Sequence, residues 1–436
     1  MNLRQIALRI LDEYEAGGKF INLALSSHLT DKLSGEEKAA LTALLYTSVE
    51  RKLTYDYYIL ALSKRSDSDI DPHTKNILRI GLCQILHMHS IPDYAAVNET
   101  VKLSATPGER AFVNGILRAA ARQKDSLPMP KEEKNYKRFL SVKYSYPLYI
   151  VKRLDALYGR EGTEEILSFF NEEKYTDITV NTAKISVSDM ILRLKDSGIE
   201  TETNPYVNNS LRINSSVNPE RLYGFSDGLF FVQDRASAIC ATILDSKEGE
   251  TVIDVCAAPG GKSFSAAINS LDRSEIHSFD IHESKLSLIS SGAERLGLKS
   301  VKVAARDALY PDEALLGRAD KVICDAPCSG LGVMGKKPDL RYKDIDSIEA
   351  LPTLQYDILS ASAKYLKKGG VIIYSTCTLN PEENECVAKK FVEEDPNFAL
   401  EPFAIGDLKA ECGYLTLLPN INHTDGFFMA KIRRID

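Results

Sequence analysis

Apolar residues recur at helical spacing along the first 125 positions of this 436-residue chain. The first helix is predicted from apolar residues that would share one face, namely Leu3, Ile6, Ala7, Ile10 and Leu11. Ser34 followed by Glu37 indicates a capping box at the start of a helix that continues to about Arg51. Pro72 would begin a further helix, which the turn-forming residues 90–93 separate from the next one. Because no strand-like pattern occurs here, we predict an all-α domain over residues 1–125.

Residues 126–147 have the composition of a linker. Two prolines, Pro128 and Pro130, precede a stretch in which basic residues are interleaved with tyrosines. Such a stretch can follow a nucleic-acid backbone and stack on its bases. It is equally typical of a solvated connector between domains, and the sequence leaves both interpretations open.

Residues 148–235 combine helix and strand patterns. Short strands are predicted at Asp177–Asn181, Leu211–Asn214 and Gly228–Val232, and a helix is predicted at Ser188–Lys195. This combination predicts a small α+β domain.

From Thr251 onward, strand and helix patterns alternate. Five strands are predicted, with the sequences TVIDVC, EIHSFD, VKVAA, KVICDAP and GVIIYST, and the helix before the last of them would end near Lys368. Such alternation is typical of a mostly parallel sheet covered by helices. At the end of the chain, Tyr414–Leu418 and Gly426–Ile432 predict two successive strands without a helix between them. We therefore predict an α/β Rossmann-like domain over residues 236–436 that ends in an antiparallel hairpin.

The composition is that of an ordinary globular protein. Hydrophobic residues make up 44% of the chain, and no stretch approaches the roughly 18 consecutive apolar residues of a membrane span. Acidic residues within the first apolar pattern argue against a secretion signal, so we expect a cytoplasmic protein without membrane association. Because the net charge is −7, any RNA binding must come from local basic patches.

The eight cysteines are scattered, with no CxxC pair and no clustered histidines. We therefore expect neither a metal site nor a disulfide framework. Five of them are predicted to be small buried apolar residues: Cys83, Cys240, Cys324, Cys386 and Cys412. Cys256 is also predicted to serve packing. Cys328 and Cys377 differ from these, because each follows a predicted strand of the parallel sheet.

A glycine-rich turn joins the first strand of this sheet to the next helix. It contains Ala257, Ala258, Pro259, Gly260 and Gly261. The glycines let a ligand approach the backbone, and the start of the helix can receive an anion. The spacing fits neither a Walker A loop nor the GxGxxG loop of dinucleotide-binding proteins. A Pro-Gly-Gly turn suits a small ligand with a carboxylate, such as the methionine end of S-adenosylmethionine.

Aspartates follow the second and third strands of the same sheet. Asp280 ends the second strand, where a carboxylate reaches a ribose hydroxyl in nucleotide-binding α/β sheets. Asp307 follows the third strand and would contact the adenine amino group. We therefore predict that both residues bind the cofactor.

Cys328 and Cys377 follow the fourth and fifth strands. The carboxyl ends of parallel strands converge on the crevice in which α/β proteins bind ligands. Methylation of cytosine carbon 5 is a reaction that needs two groups at one place. A thiolate adds to carbon 6 and thereby activates carbon 5, and a second group assists removal of the carbon 5 proton.

Four sequence stretches carry a resemblance to a known family: DVCAAPGGKS, DAPCSGLG, YSTCTLNPEENE and the terminal DGFFMAKI. In this order they resemble the RNA cytosine-5 methyltransferases, which include bacterial ribosomal RNA enzymes and the eukaryotic Nop2/Sun proteins. The resemblance covers about residues 140–436. The N-terminal region resembles the NusB-like RNA-binding domain, in AAVNETVKL at 95–103 and FVNGILR at 112–118. The combination is similar to members of the family that methylate one cytosine of 16S ribosomal RNA.

The resemblance implies a role for each matching residue. Cys377 would be the nucleophile, and Cys328 would assist proton removal and product release. Asp325 would hold the base through its ring nitrogen 3 and its amino group, and would also border the cofactor. Lys262 would line the same pocket. The turn at 257–261 would hold S-adenosylmethionine together with the two aspartates, and the small α+β domain would bind RNA.

The chain departs from the family pattern in two places. Ser263 stands where the family usually has threonine. Residues 337–342, KPDLRY, replace a typical HPDIKW in a loop that is expected to face the RNA.

Residues after Cys377 suggest how its thiol could be activated. Asn380 would cap a helix that begins at Pro381, with Glu383 as the reciprocal capping residue. The positive end of that helix would favour a thiolate. Because three glutamates nearby oppose this effect, the direction of the pKa shift stays open.

Three alternatives remain at this point. In a DNA cytosine methyltransferase, Cys328 would attack and Cys377 would have no role. A ribosome-assembly factor would bind RNA without catalysis. The same chemistry could also act on transfer RNA or 23S ribosomal RNA. The NusB-like region favours 16S ribosomal RNA as the partner, and we expect a monomer.

Overall fold

The computed structural model describes residues 2–17, 21–28, 33–172, 175–213 and 218–436. The chain divides into two compact units. The first comprises Met1–Asn171 and Lys337–Tyr342, and the second comprises Glu172–Lys336 and Lys343–Asp436.

The first unit is helical. Its helices are α1 (Leu3–Glu15), α2 (Ile21–His28), α3 (Gly35–Glu50), α4 (Lys52–Ser63), α5 (Pro72–His87), α6 (Asp93–Val101), α7 (Pro107–Arg122), α8 (Tyr136–Tyr144) and α9 (Leu148–Asn171). None of its described residues belongs to a strand, which agrees with the predicted all-α domain. Helix α5 lies at the centre and is buried along almost its whole length. The unit therefore extends beyond residue 125, where the predicted helical domain ends.

The predicted helix starts in this unit are confirmed. The Ser34 side chain accepts a hydrogen bond from the Glu37 amide, and the Glu37 side chain accepts one from the Ser34 amide. Pro72 occupies the first turn of α5, where its missing amide hydrogen removes no helical hydrogen bond. Local sequence is sufficient at these places because each cap involves residues only three positions apart.

The interpretation of residues 126–147 as a solvated linker is wrong for α8. The Asn135 side chain caps this helix by accepting from the Arg138 amide. Leu140 and Tyr146 are almost completely buried, so the segment belongs to the core of the unit. Its lysines are also partly neutralised, since Lys143 forms an ion pair with a glutamate of α9 at 2.8 Å.

Residues 337–342 pack within the helical unit. The Arg341 side chain is completely buried, and its guanidinium lies 3.8 Å from the centre of the Tyr146 ring. It donates hydrogen bonds to the carbonyl oxygens of Glu50 and Ser145 and to the side-chain oxygen of Asn171. The prediction that this segment faces RNA is therefore wrong for Arg341, whose donors are directed to residues of the same unit.

The second unit contains all the strands of the described residues. They are β1 (Thr176–Val180), β2 (Thr201–Thr203), β3 (Ser210–Ile213), β4 (Phe230–Val232), β5 (Thr251–Asp254), β6 (Glu275–Asp280), β7 (Val301–Ala305), β8 (Ala319–Asp325), β9 (Leu366–Thr376), β10 (Phe398–Leu400), β11 (Phe403–Ile405), β12 (Leu408–Ala410), β13 (Tyr414–Leu417) and β14 (Phe427–Arg434). Its helices are α10 (Val187–Asp196), α11 (Arg235–Leu244), α12 (Gly261–Asn269), α13 (Glu283–Leu296), α14 (Ile345–Glu349), α15 (Leu351–Ala363), α16 (Glu385–Glu394) and α17 (Pro419–Asn422).

The small antiparallel sheet has the order β2-β3-β1-β4. Strands β1, β3 and β4 were predicted, although Asn214, the last residue of one prediction, lies outside the described residues. The prediction missed β2, whose three polar residues carry no apolar alternation. This sheet is joined to the end of α13, because the Asn181 side chain donates to the carbonyl oxygens of Gly228 and Leu296.

The large sheet has the order β10-β14-β9-β8-β5-β6-β7, and β13 pairs with β14. Strands β5 to β9 are parallel, whereas β14 runs antiparallel to β9. This arrangement confirms the predicted parallel sheet with a terminal hairpin. Two details of the prediction were wrong. The helix before β9 ends at Ala363, because the chain already pairs with β8 from Leu366, and the four-residue α17 separates β13 from β14.

Candidate active site

The glycine-rich turn lies between β5 and α12 at the carboxyl edge of the parallel strands. Gly260 has a φ of +111°, and a Cβ at this position would lie 2.4 Å from the Phe264 ring. Only glycine therefore fits here. As the N-cap residue, Gly260 offers no capping side chain, so the first amide groups of α12 lack acceptors within the helix. This helix start fits the carboxylate of S-adenosylmethionine.

Buried hydroxyl groups fix the end of β5. The Ser263 hydroxyl donates to Asp254 at 2.7 Å and accepts from Ser278 at 2.8 Å. Ser263 thus keeps the hydroxyl of the threonine that is usual in the family. Burial raises the pKa of Asp254 to about 7, partly offset by the Ser263 hydrogen bond.

Asp280 and Asp307 lie at the same edge as the turn, because β5, β6 and β7 are adjacent and parallel. Asp280 accepts hydrogen bonds from the Ala258 amide at 3.2 Å and from the His282 amide at 2.9 Å. It therefore shapes the turn directly. Asp307 follows β7 and accepts from the Leu309 amide at 3.0 Å. The structure brings these predicted cofactor residues together on three neighbouring strands.

Cys328 and Cys377 lie side by side after strands β8 and β9. Their sulfur atoms are 3.2 Å apart, and both side chains are half-buried. The hydrogen bond with Cys377, together with burial, raises the pKa of the Cys328 thiol well above its usual range. A negative charge on both sulfurs at this distance is unfavourable, so a single thiolate is the charged form that the pair can hold.

A partly buried ion pair lies beside the cysteines. Lys262 donates to one carboxylate oxygen of Asp325 at 2.7 Å, and the Ser375 hydroxyl donates to the other at 2.7 Å. Burial lowers the pKa of Lys262, but the charge of Asp325 outweighs this effect and raises it above its ordinary value. The Lys262 side chain is 9% exposed and that of Asp325 is 33% exposed, so the carboxylate is the member of the pair that a ligand can reach.

The terminal hairpin supports the cysteine loops. The Gly332 amide donates to the carbonyl oxygen of Cys377 at 3.0 Å, and the Gly426 amide donates to that of Gly332 at 2.9 Å. A Cβ on Gly332 would lie 1.9 Å from the Gly426 carbonyl oxygen, so the two backbones approach too closely for any side chain.

The predicted helix cap after Cys377 is wrong. Residues Pro381–Glu383 form a short 3-10 turn, and α16 begins only at Glu385. Asn380 makes no capping hydrogen bond. The Glu383 carboxylate is instead completely buried and accepts hydrogen bonds from the loops of both cysteines. The sequence contained no signal for this role, because two of the donors, Ser329 and Gln355, lie 54 and 28 positions from Glu383 in the chain.

The remaining cysteines lie outside this site. Cys83, Cys240 and Cys324 are buried as predicted, and Cys256 is half-buried at the edge of a core cluster. The prediction was wrong for Cys386 and Cys412, which are exposed on a helix end and a turn. Within the described ranges, no group of three or more potential ligands could hold a metal ion. No described helix is long and apolar enough to cross a membrane.

Family models match all three regions of the chain. The model described as 16S rRNA methyltransferase RsmB/F matches residues 241–433. The NusB family model matches residues 1–122, and a ferredoxin-like domain of RsmF/B-like methyltransferases matches residues 146–220. The probable ribosomal RNA small subunit methyltransferase B of Bacillus subtilis (strain 168) is 32% identical over 99% of both chains. The chain belongs to the ribosomal RNA small subunit methyltransferase B family.

Solved structures agree with this membership. The crystal structure of PH0851 matches 99% of both chains with a TM-score of 0.79 and 27% identity. The structure of NSun6 from Pyrococcus horikoshii with SFG, an S-adenosylmethionine analogue, covers 71% of this chain and 99% of its own, with a TM-score of 0.59 and 25% identity. As a member of the methyltransferase B family, the protein is an S-adenosylmethionine-dependent methyltransferase with a NusB-like helical domain, a ferredoxin-like domain and a Rossmann-like domain.

Proposed function

We propose that the protein methylates carbon 5 of a specific cytosine in 16S ribosomal RNA through a covalent bond between Cys377 and carbon 6. The distance of 3.2 Å between the sulfurs of Cys377 and Cys328 carries this proposal. Two thiols at one place supply the nucleophile and the second group that this chemistry requires. Membership in the methyltransferase B family supports the choice of RNA.

The proposed reaction divides the work between the two cysteines. The Cys377 thiolate forms a bond to carbon 6, and the electron pair of the carbon 5–carbon 6 double bond moves to carbon 5, where its negative charge is shared with ring nitrogen 3. When bound, S-adenosylmethionine would supply the methyl group to carbon 5 by cleavage of its sulfur–methyl bond, with S-adenosylhomocysteine as the product that leaves. Cys328 then assists removal of the carbon 5 proton, which restores the double bond and releases Cys377. Cys328 can accept the carbon 5 proton only as a thiolate, so its own proton must first pass to solvent, which its half-buried side chain can reach. Once Cys377 is bonded to carbon 6, its sulfur no longer carries the negative charge that opposes ionisation of Cys328.

The partly buried ion pair would hold the base during these steps. The Asp325 carboxylate, fixed by Lys262 and Ser375, would accept a hydrogen bond from the amino group of the base, and one from ring nitrogen 3 when this nitrogen carries a proton after the thiolate has added. The positive charge of Lys262 offsets the negative charge that develops in the ring when the thiolate adds.

We propose that the turn at Ala257–Gly261, Asp280 and Asp307 bind S-adenosylmethionine, and that Asp325 borders the same site. The uncapped start of α12 supports the place of the carboxylate. Asp280 would bind the ribose hydroxyls, and Asp307 the adenine amino group. Asp280 ends β6, which pairs with β5, and Asp307 follows β7, which pairs with β6.

Replacing Asp280 by alanine should weaken S-adenosylmethionine binding about ten- to a hundredfold. The loss of a hydrogen bond to a charged group costs roughly 1.5–3 kcal/mol. The change also removes the acceptor that holds the Ala258 amide, so the turn itself becomes less ordered. Titration calorimetry measures the affinity. Glu283→Ala, which changes an exposed carboxylate on the neighbouring helix, serves as the control. An unchanged affinity of Asp280→Ala would contradict the ribose assignment.

Bisulfite sequencing of ribosomal and transfer RNA tests the target of the reaction. A strain that lacks the gene should lose protection at one cytosine of 16S ribosomal RNA, and the wild-type gene should restore it. The Cys377→Ala gene should not restore it. Loss at a transfer RNA or 23S site would assign another substrate to the same chemistry. Complete retention of all sites would favour a ribosome-assembly role without catalysis.

We further propose that the protein acts in the cytoplasm as a monomer, since its substrate is ribosomal RNA and each proposed catalytic residue lies within the second unit of a single chain.

A further inference from the structure

Each of the two paired cysteines is followed directly by a buried hydroxyl residue. Ser329 follows Cys328, and Thr378 follows Cys377. Their hydroxyl oxygens are 2.7 Å apart, and both also contact the carboxylate of Glu383, at 2.6 Å from Ser329 and 3.4 Å from Thr378. One carboxylate thus connects the two cysteine loops at the residue next to each sulfur.

Glu383 receives further hydrogen bonds from the same loops. The Ser329 amide donates to it at 2.8 Å and the Asn380 side chain at 3.0 Å. The Gln355 amide group donates to it at 3.0 Å and also donates to the carbonyl oxygen of Pro327, immediately before Cys328, at 2.9 Å. The Tyr374 hydroxyl donates to the backbone carbonyl of Glu383 at 2.5 Å. The residue is therefore held from β9, from α15 and from both loops.

Burial of this carboxylate is costly. The Glu383 side chain is 0% exposed, and no lysine or arginine of the described residues forms an ion pair with it. An ionised carboxylate in such a place is stable only when neutral donors satisfy its oxygens. An apolar residue in the same space would leave the donors of Ser329, Asn380 and Gln355 without this acceptor, so the carboxylate is what connects the two loops.

We propose that Glu383 is a positioning residue that holds the Cys328 and Cys377 loops together and keeps Cys328 protonated until Cys377 has added to the base. The proposal rests on the two-cysteine reaction proposed above. The hydrogen bonds of Glu383 and its negative charge have separate effects on the two cysteines. The hydrogen bonds keep both sulfurs at one face of the base, and the buried negative charge disfavours a second negative charge on Cys328. The charge of Glu383 is among the causes that raise the pKa of the Cys328 thiol.

The effect of the charge can be measured without RNA or cofactor. Cys328 is alkylated with iodoacetamide across a range of pH in the Cys377→Ala background, and mass spectrometry of its peptide gives the extent of reaction. Glu383→Gln removes the negative charge and should lower the midpoint of the alkylation profile by about one pH unit or more. Glu382→Gln makes the same change at the exposed neighbouring residue and should leave the midpoint unchanged.

The effect of position is measured by a single methylation turnover on 16S ribosomal RNA with saturating S-adenosylmethionine. With Cys377 intact, Glu383→Gln should slow this turnover about a hundredfold, because a displacement of the reacting groups by about 1 Å has an effect of that size. Glu383→Asp retains the charge but withdraws the oxygens. It should leave the Cys328 midpoint near that of the native residue while still slowing the turnover. Cofactor affinity should stay unchanged in both variants.

Two outcomes would overturn the proposal. One is a Glu383→Gln protein that retains the native alkylation midpoint and the native turnover rate. The other is a variant that loses cofactor binding and thermal stability together with activity, because Glu383 would then only support the fold. Failure of the two-cysteine reaction would be recognised separately, by the absence of an RNA adduct in proteins that have the native Glu383. The alkylation profile does not depend on that result.

Discussion

Cys328→Ala should accumulate a covalent adduct with RNA, whereas Cys377→Ala should form none. The Cys377 thiolate can still add to carbon 6 when Cys328 is replaced, and carbon 5 can still receive the methyl group. The group that assists removal of the carbon 5 proton is then missing, and release of Cys377 requires that removal. The two sulfurs are close enough to act on the same base. Methyl transfer by Cys377→Ala should fall to background, because the nucleophile is absent.

A denaturing gel with labelled 16S ribosomal RNA measures the adduct. We expect a band that is stable to boiling in detergent and that depends on S-adenosylmethionine in Cys328→Ala. The Cys328→Ala, Cys377→Ala double variant should lose this band. Cys386→Ala, which changes an exposed cysteine outside the site, is the matched control and should behave like the native protein. An adduct in Cys377→Ala but not in Cys328→Ala would show that Cys328 is the nucleophile, as in the DNA-type mechanism.

Asp325→Ala should lower kcat/KM for RNA methylation by about a thousandfold. The base loses two proposed hydrogen bonds to a charged group, at roughly 1.5–3 kcal/mol each, and Lys262 loses its partner. Without Asp325, burial is the larger influence on the pKa of Lys262 and lowers it, so the lysine loses charge as the pH rises. Steady-state kinetics over a range of pH measures both the lower kcat/KM and its further change as Lys262 loses its charge.

Controls separate this effect from damage to the fold. Asp357→Ala removes an exposed carboxylate from α15 and should leave the kinetics unchanged. Asp325→Asn retains one acceptor oxygen for Lys262 or Ser375, so its activity should lie between that of Asp325→Ala and the native protein. Lys262→Met should resemble Asp325→Ala, because it removes the other member of the pair. If Asp325→Ala methylates RNA within threefold of the native rate, the carboxylate does not hold the base.

The sequence by itself determined the layout of the catalytic region. Each strand of the parallel sheet has its own apolar pattern, and the carboxyl ends of such strands meet at one edge. This rule alone placed Cys328, Cys377, Asp280 and Asp307 at one edge, and the structure confirms that the strands before them are parallel. Helix starts were also predictable, since the Ser34 capping box depends on residues three positions apart.

Tertiary structure decided those features whose partners are distant in the chain. The Asn380–Glu383 sequence has the local pattern of a helix cap, but Ser329, 54 positions from Glu383, and Gln355, 28 positions away, supply stronger donors inside the protein. The Glu383 carboxylate is directed towards these donors inside the protein, and α16 starts only at Glu385. A helix-capping side chain stabilises a protein by about 1 kcal/mol. The several hydrogen bonds that the buried carboxylate accepts contribute more than this.

The same limit of prediction from sequence applies to Arg341. The family resemblance predicted that this residue lies in a loop that faces RNA. The acceptors that bury it belong to Glu50, Ser145 and Asn171, which are separated from it by at least 170 positions. A pattern of hydrophobic and polar residues shows which faces of an element are covered, but it does not show which distant groups complete the hydrogen bonds of a buried charge. Only the folded chain brings those groups together.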